Sequence, residues 1–179
     1  FGKASDQWIA IWKENELKNL FSVEGKVAVV TGGSRGIGLM IAQGYVENGV
    51  KTYISSRDVA ACEEVAARLT EAGGTCIALP NNLGDMAGVE KLAAEIMERE
   101  DKLDVLINNA GANWGAPIDE FPESGWDKVM TLNVKSIFFL TQKLLPVLRA
   151  AASHENPARV INTASIDGMH APGLETYSY

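Results

Sequence analysis

Val27-Ala28-Val29-Val30-Thr31-Gly32-Gly33-Ser34-Arg35-Gly36-Ile37-Gly38 joins a short β-branched run to a glycine-rich turn and then to a helix-like pattern. A strand, a tight turn nearly free of side chains and a helix start, in that order, make a cradle for the phosphates of a dinucleotide. Glycines let backbone N–H groups approach a pyrophosphate, and the helix offers the positive end of its dipole. The spacing is T-G-x-x-x-G-x-G rather than G-x-G-x-x-G, and it marks Thr31, Gly32, Ser34, Arg35, Gly36, Ile37 and Gly38 as cofactor-binding candidates.

Outward from this turn, strand-like and helix-like stretches alternate. Val27–Thr31 leads to a helix near Gly36–Asn48, Thr52–Ser56 to one over Asp58–Ala72, and Thr75–Leu79 to one over Asp85–Arg99. Val105–Asn108 then leads to a long helical pattern from about Ser124 to Ala151, and Arg159–Ala164 is the fifth strand. Periods switching between 2 and 3.6 in this order predict an α/β fold, a doubly wound parallel sheet in a three-layer Rossmann-like sandwich. Upstream, Trp8, Ile11, Trp12, Leu17, Leu20 and Phe21 recur at roughly helical spacing among charged residues, so residues 1–22 are expected to form a helical extension before the domain at 23–179.

Composition narrows the function classes. The 179 residues are 46% hydrophobic and 22% charged, enough for a substantial core. A formal net charge of −7 and a pI near 4.9 argue against a nucleic-acid partner, which normally needs clustered Lys and Arg. Cys62 and Cys76 have neither C-x-x-C nor Cys/His spacing, so no disulfide framework and no metal site is expected. No apolar run approaches a membrane span, and the N-terminus lacks a secretory pattern; a cytoplasmic location follows, with an organelle matrix as the alternative. His154, in a polar stretch, and His170 have little claim to acid/base work.

The second strand ends Tyr53-Ile54-Ser55-Ser56-Arg57, without the carboxylate that would hold the adenine-ribose hydroxyls of NAD. Arg57 and Arg35 are placed to form charge-assisted hydrogen bonds with a ribose 2′-phosphate. NADP(H) is therefore preferred, with NAD(H) the second choice, and two solvated surface arginines are the alternative.

Asn108-Asn109-Ala110-Gly111 closes the fourth strand. With the glycine turn, this N-N-A-G motif resembles the short-chain dehydrogenase/reductase family, and the likeness runs along nearly all of the chain after residue 22. The resemblance implies that Asn109, Ala110 and Gly111 pass close to the cofactor. It also implies that Asn82 and Leu83 meet the adenine, Asn82 standing where the family generally has aspartate; a turn-forming Asn81-Asn82 pair is the local alternative.

The resemblance extends to catalysis: Asn133 in Leu132-Asn133-Val134-Lys135-Ser136, Ser165 in Asn162-Thr163-Ala164-Ser165, and a tyrosine in Tyr177-Ser178-Tyr179 stand where the family keeps catalytic residues. Tyr179 is assigned, with Tyr177 the alternative. The family's lysine, four positions after the tyrosine, would lie beyond the last residue, so a C-terminal segment or a second chain is expected to complete the site, and the isolated chain to be inactive.

Hydride transfer between a nicotinamide and a carbonyl or secondary alcohol is the implied reaction. The likeness to 3-oxoacyl-carrier-protein reductases of rhamnolipid biosynthesis implies a 3-oxoacyl thioester or similar ketone. A polyol or gluconate-type dehydrogenase and a non-catalytic NADP-binding scaffold are the competing readings. Trp114, Pro117, Phe121, Pro122 and Trp126, with Met169, His170, Pro172 and Leu174, are candidates for an apolar substrate pocket or for simple packing. By the same resemblance the Ser124–Ala151 helix contributes to a homodimer or homotetramer interface.

Overall fold

A computed structural model describes residues 21–169 of the chain. The expected N-terminal helix falls on residues before these, and His170, Pro172, Leu174, Tyr177 and Tyr179 after them.

The sheet grows outward from its centre. Strand β1 (Val27–Thr31) is followed by helix α1 (Gly36–Glu47), β2 (Lys51–Ser55), α2 (Val59–Glu71), β3 (Cys76–Ala78), α3 (Met86–Arg99) and β4 (Val105–Asn108). Then come α4 (Glu123–Met130), a π turn (Thr131–Lys135), α5 (Ser136–Ala151) and β5 (Arg159–Asn162). All five strands are parallel, in the order β3-β2-β1-β4-β5, with Val29 opposite Tyr53 on one side and Leu106 on the other. The chain therefore runs to one edge and returns to start again beside β1. Parallel neighbours whose connections leave in opposite directions open a crevice at their carboxyl ends, and that is where the glycine turn and the N-N-A-G motif meet.

Alternating strand residues feed two cores. Val29, Tyr53 and Leu106 pack with Leu92 and Ile96 of α3 and with Leu140 and Leu144 of α5. Ala28, Val30, Ile54 and Ile107 pack with Ala42 and Val46 of α1 and with Cys62, Val65 and Leu69 of α2. Helices on both faces explain why the strands read as unbroken apolar runs. Each fully buried Leu or Ile here contributes roughly 1.5–3 kcal/mol.

Two helices start on aspartates: Asp58 accepts from Ala61 N at 3.1 Å and Asp85 from Gly88 N at 2.8 Å. Cys62 and Cys76 are buried and unpaired with each other, and among the described residues no group of three or more His, Cys, Asp or Glu could hold a metal, nor is any helix long and apolar enough to cross a membrane.

Two expectations need correction. The helical pattern from Ser124 to Ala151 is not one uniform helix, because the π turn interrupts the i→i−4 ladder around Asn133. The fifth strand ends at Asn162 rather than Ala164, since Thr163 N makes the last bond to β4, at 2.9 Å to the Asn108 carbonyl.

Candidate active site

Thr31 organises the crevice. Its side chain is 2% exposed; Oγ1 donates to the Ile107 carbonyl at 3.3 Å and accepts N–H groups from Asn109 at 2.9 Å and Ala110 at 3.0 Å. Asn109 Nδ2 donates in turn to the Thr31 carbonyl at 3.1 Å. One hydroxyl thereby joins the end of β1 to the turn after β4.

The glycine turn is folded back on β2, with Gly32 N and Gly33 N donating to the Ser55 carbonyl at 2.7 and 3.2 Å. Gly32 adopts φ +69°, and a Cβ on it would come within 3.0 Å of Asn109 Nδ2. Gly38 touches the Gly32 carbonyl so closely that any side chain would displace the turn. Helix α1 starts at Gly36 with no side-chain cap, and its first intrahelical bond comes from Leu39 N to the Arg35 carbonyl at 3.2 Å. The preceding N–H groups have no partner within the helix, which leaves a positive helix end facing a cradle that a single Cβ would fill. These features fit a pyrophosphate.

At the end of β2, Ser56 Oγ donates to the Asp58 carbonyl at 2.9 Å, while the Asp58 carboxylate caps α2. The carboxylate nearest the ribose position in sequence is thus committed elsewhere. Arg57 is exposed beside it, as Arg35 is in the turn, and Ser34 is half-buried between the cradle and solvent. The residues fit a 2′-phosphorylated ribose.

The adenine side differs in detail from expectation. Asn82 closes a local turn, Oδ1 accepting from Gly84 N at 3.1 Å and Nδ2 donating to Asp85 Oδ2 at 3.0 Å, so the turn-forming alternative is realised and half of the amide's capacity remains. Leu83 buries its side chain in the core, leaving only its main chain for a ligand.

On the other side of the crevice, Asn108 Nδ2 donates to Asn162 Oδ1 at 2.9 Å and to Thr141 Oγ1 at 3.3 Å, tying β4 to β5 and α5. Asn133, in the π turn, grips the main chain of Ala112 twice: Oδ1 accepts from Ala112 N and Nδ2 donates to Ala112 O, both at 2.8 Å. Its side chain therefore fixes the segment just after N-N-A-G. The structure brings Asn109, Ala110, Gly111, Asn133 and Ser165 to one cleft of about 850 Å³. Ile137, Phe138 and Leu145 of α5 and Val160 of β5 supply its apolar wall.

Those wall residues were not among the pocket candidates. Trp114, Pro117, Phe121, Pro122 and Trp126 do not line the cleft; Trp114 instead lies against Gly125 with Lys128 Nζ 5.0 Å above its ring, and Trp126 is 58% exposed. Met169 is exposed and also off the cleft. The missed signal was the apolar i, i+4 relation of Val134 to Phe138, which continues beyond the side of α5 that packs on the sheet.

Comparison with known proteins follows the same outline. Residues 26–179 match the family model of short chain dehydrogenases. The rhamnolipids biosynthesis 3-oxoacyl-[acyl-carrier-protein] reductase of Pseudomonas aeruginosa is 52% identical over 159 residues, covering 89% of this chain and 62% of that protein. The 2-dehydro-3-deoxy-D-gluconate 5-dehydrogenase of Dickeya dadantii is 33% identical, over 90% of this chain and 61% of its own length. Among solved structures, the Pseudomonas aeruginosa RhlG/NADP active-site complex superposes with a TM-score of 0.83 at 52% identity, covering 88% of this chain and 61% of that one. The chain spans about three fifths of the length of these relatives. From the glycine turn to the last residue, the chain belongs to the short chain dehydrogenase family.

Proposed function

We propose that this chain carries the cofactor half of an NADP(H)-dependent oxidoreductase that reduces the ketone of a 3-oxoacyl thioester or a similar carbonyl compound. The observation that carries the proposal is the convergence of Asn109, Gly111, Asn133 and Ser165 on one cleft, at the crevice where the glycine cradle opens. The 52% identity to a reductase named for 3-oxoacyl-carrier protein supports the substrate class. The gluconate-type relative, at 33% identity, is the more distant of the two.

NADP(H), when bound, supplies or accepts the hydride. The chain's own residues hold the cofactor and handle the proton. Thr31, Gly32, Ser34, Gly36, Ile37 and Gly38 would hold the pyrophosphate, Arg35 and Arg57 the 2′-phosphate, and Asn109, Ala110 and Gly111 the nicotinamide end. Asn82, with its remaining N–H and lone pair, and the main chain of Leu83 serve the adenine. Ser165 donates a hydrogen bond to the substrate oxygen, and Tyr179 gives that oxygen its proton. Asn133 has one N–H and one lone pair left after gripping Ala112, enough to hold a relay water.

A homodimer or homotetramer would assemble through α5, as the likeness to the family implies. A cytoplasmic or matrix compartment suits two buried, unpaired thiols. The test is NADPH oxidation by the full-length protein with a series of 3-oxoacyl thioesters, set against gluconate-type substrates. Preference for acyl chains is the expected result; preference for polyols would overturn the substrate reading.

A further inference from the structure

We infer that Trp114 is a positioning residue that latches the loop at the substrate side of the cleft onto α4, through a seat at Gly125 and a cation at Lys128. This deepens the oxidoreductase reading and rests on it. Gly125 lies buried inside α4, where glycine is a poorer helix former than alanine. The reason is steric: a Cβ there would stand 2.8 Å from Cδ1 and Cγ of Trp114 and 2.9 Å from Cδ2, so the indole lies directly on the helix backbone. Lys128 follows at i+3 on the same helix face, and its Nζ sits 5.0 Å from the ring centroid. The helix thus supplies both a floor and a charge for one aromatic ring.

Two residues earlier the same loop is held again, because Asn133 takes both main-chain groups of Ala112. Asn133 belongs to the π turn that follows α4 directly, so the two anchors stand on consecutive helical segments. Only Asn113 lies between them. Gly111, immediately before the first anchor, lines the cleft together with Asn133 and Ser165. Lifting Trp114 off Gly125 therefore frees the loop after Gly111 from one of its two supports, while Thr31 holds Asn109 and Ala110 separately.

The test uses full-length protein and four variants: Trp114→Ala, Gly125→Ala, Lys128→Met and Lys128→Arg. Amide hydrogen exchange of Ala112, whose N–H donates to Asn133, should rise about tenfold or more in Trp114→Ala and Gly125→Ala, about two- to fivefold in Lys128→Met, and stay near wild type in Lys128→Arg. KM for a 3-oxoacyl thioester should rise about fivefold or more in Trp114→Ala and Gly125→Ala and about twofold or more in Lys128→Met, with kcat and NADPH affinity within about twofold of wild type, the pattern of lost uniform binding. Unchanged exchange in Lys128→Met and Gly125→Ala would overturn the latch, as would raised exchange with unchanged KM. A wild-type protein that binds NADPH but reduces no ketone would count against the proposed function, while the exchange pattern would still decide for or against the latch.

Discussion

Replacing Thr31 by valine removes a hydroxyl that serves three main-chain groups while keeping the shape of the side chain. The two N–H groups of Asn109 and Ala110 would face a methyl in a site 2% exposed. An orphaned buried donor costs about 1–3 kcal/mol, so the pair costs about 2–6. Burying the new methyl offsets about 0.8 kcal/mol. The net loss is about 1–5 kcal/mol. Thr31→Ser, which keeps the hydroxyl and loses a methyl, should cost only about 1 kcal/mol. Urea unfolding of wild type and both variants separates the two effects: the midpoint of Thr31→Val should fall well below that of Thr31→Ser, with the slope unchanged. NADP binding should weaken in Thr31→Val as well, because the displaced segment holds Asn109 and Ala110, which are proposed to meet the cofactor. A Thr31→Val midpoint equal to or above that of Thr31→Ser would refute the view that this hydroxyl joins β1 to β4.

Other outcomes follow from the site. Arg57→Asp should lower the ratio of kcat/KM for NADPH over NADH by about tenfold or more, since a charge-assisted hydrogen bond is worth about 1.5–3 kcal/mol; an unchanged ratio would remove Arg57 from the 2′-phosphate site. Ser165→Ala and Tyr179→Phe should each lower kcat by about a hundredfold or more while NADPH affinity, read by fluorescence titration, stays near wild type. Burial and the neighbouring Cys62 push the Cys76 thiol from its ordinary 9.0 up to about 11. The unfolded thiol ionises first as pH rises, so Cys76 supports the fold fully below about pH 9 and progressively less towards pH 11. A Cys76→Ala variant should therefore lose less stability than wild type between pH 9 and 11 in denaturant titrations.

The parts legible in the sequence were those that local chemistry demands. The T-G-x-x-x-G-x-G turn needs a positive φ at Gly32 and no Cβ at Gly38, and only glycine meets both demands. Asp58 and Asp85 announced their helices because a helix start needs an acceptor. Unbroken apolar strands announced a sheet covered on both faces.

What remained hidden depends on contacts between distant segments. Asn133 reads as a helix-interior amide until Ala112, 21 residues earlier, is brought against it. The π turn around Asn133 carries no distinctive residue of its own. Leu83 places its side chain in the core, next to an Asn82 that closes a local turn with Asp85, a placement its neighbours in sequence do not announce. The tryptophans after N-N-A-G left pocket and packing open, packing the simpler, and Trp114 packs on Gly125 beneath Lys128.

The central claim is hydride transfer from NADPH to a carbonyl carbon in the cleft that Asn133 and Ser165 share. It is tested most directly by incubating the full-length protein with a 3-oxoacyl thioester and NADPH deuterated at the nicotinamide C4, then analysing the product by mass spectrometry. The account predicts a 3-hydroxyacyl thioester carrying one deuterium on the former carbonyl carbon, absent from the Ser165→Ala reaction. A product without deuterium, or no product although NADPH binds, would contradict it.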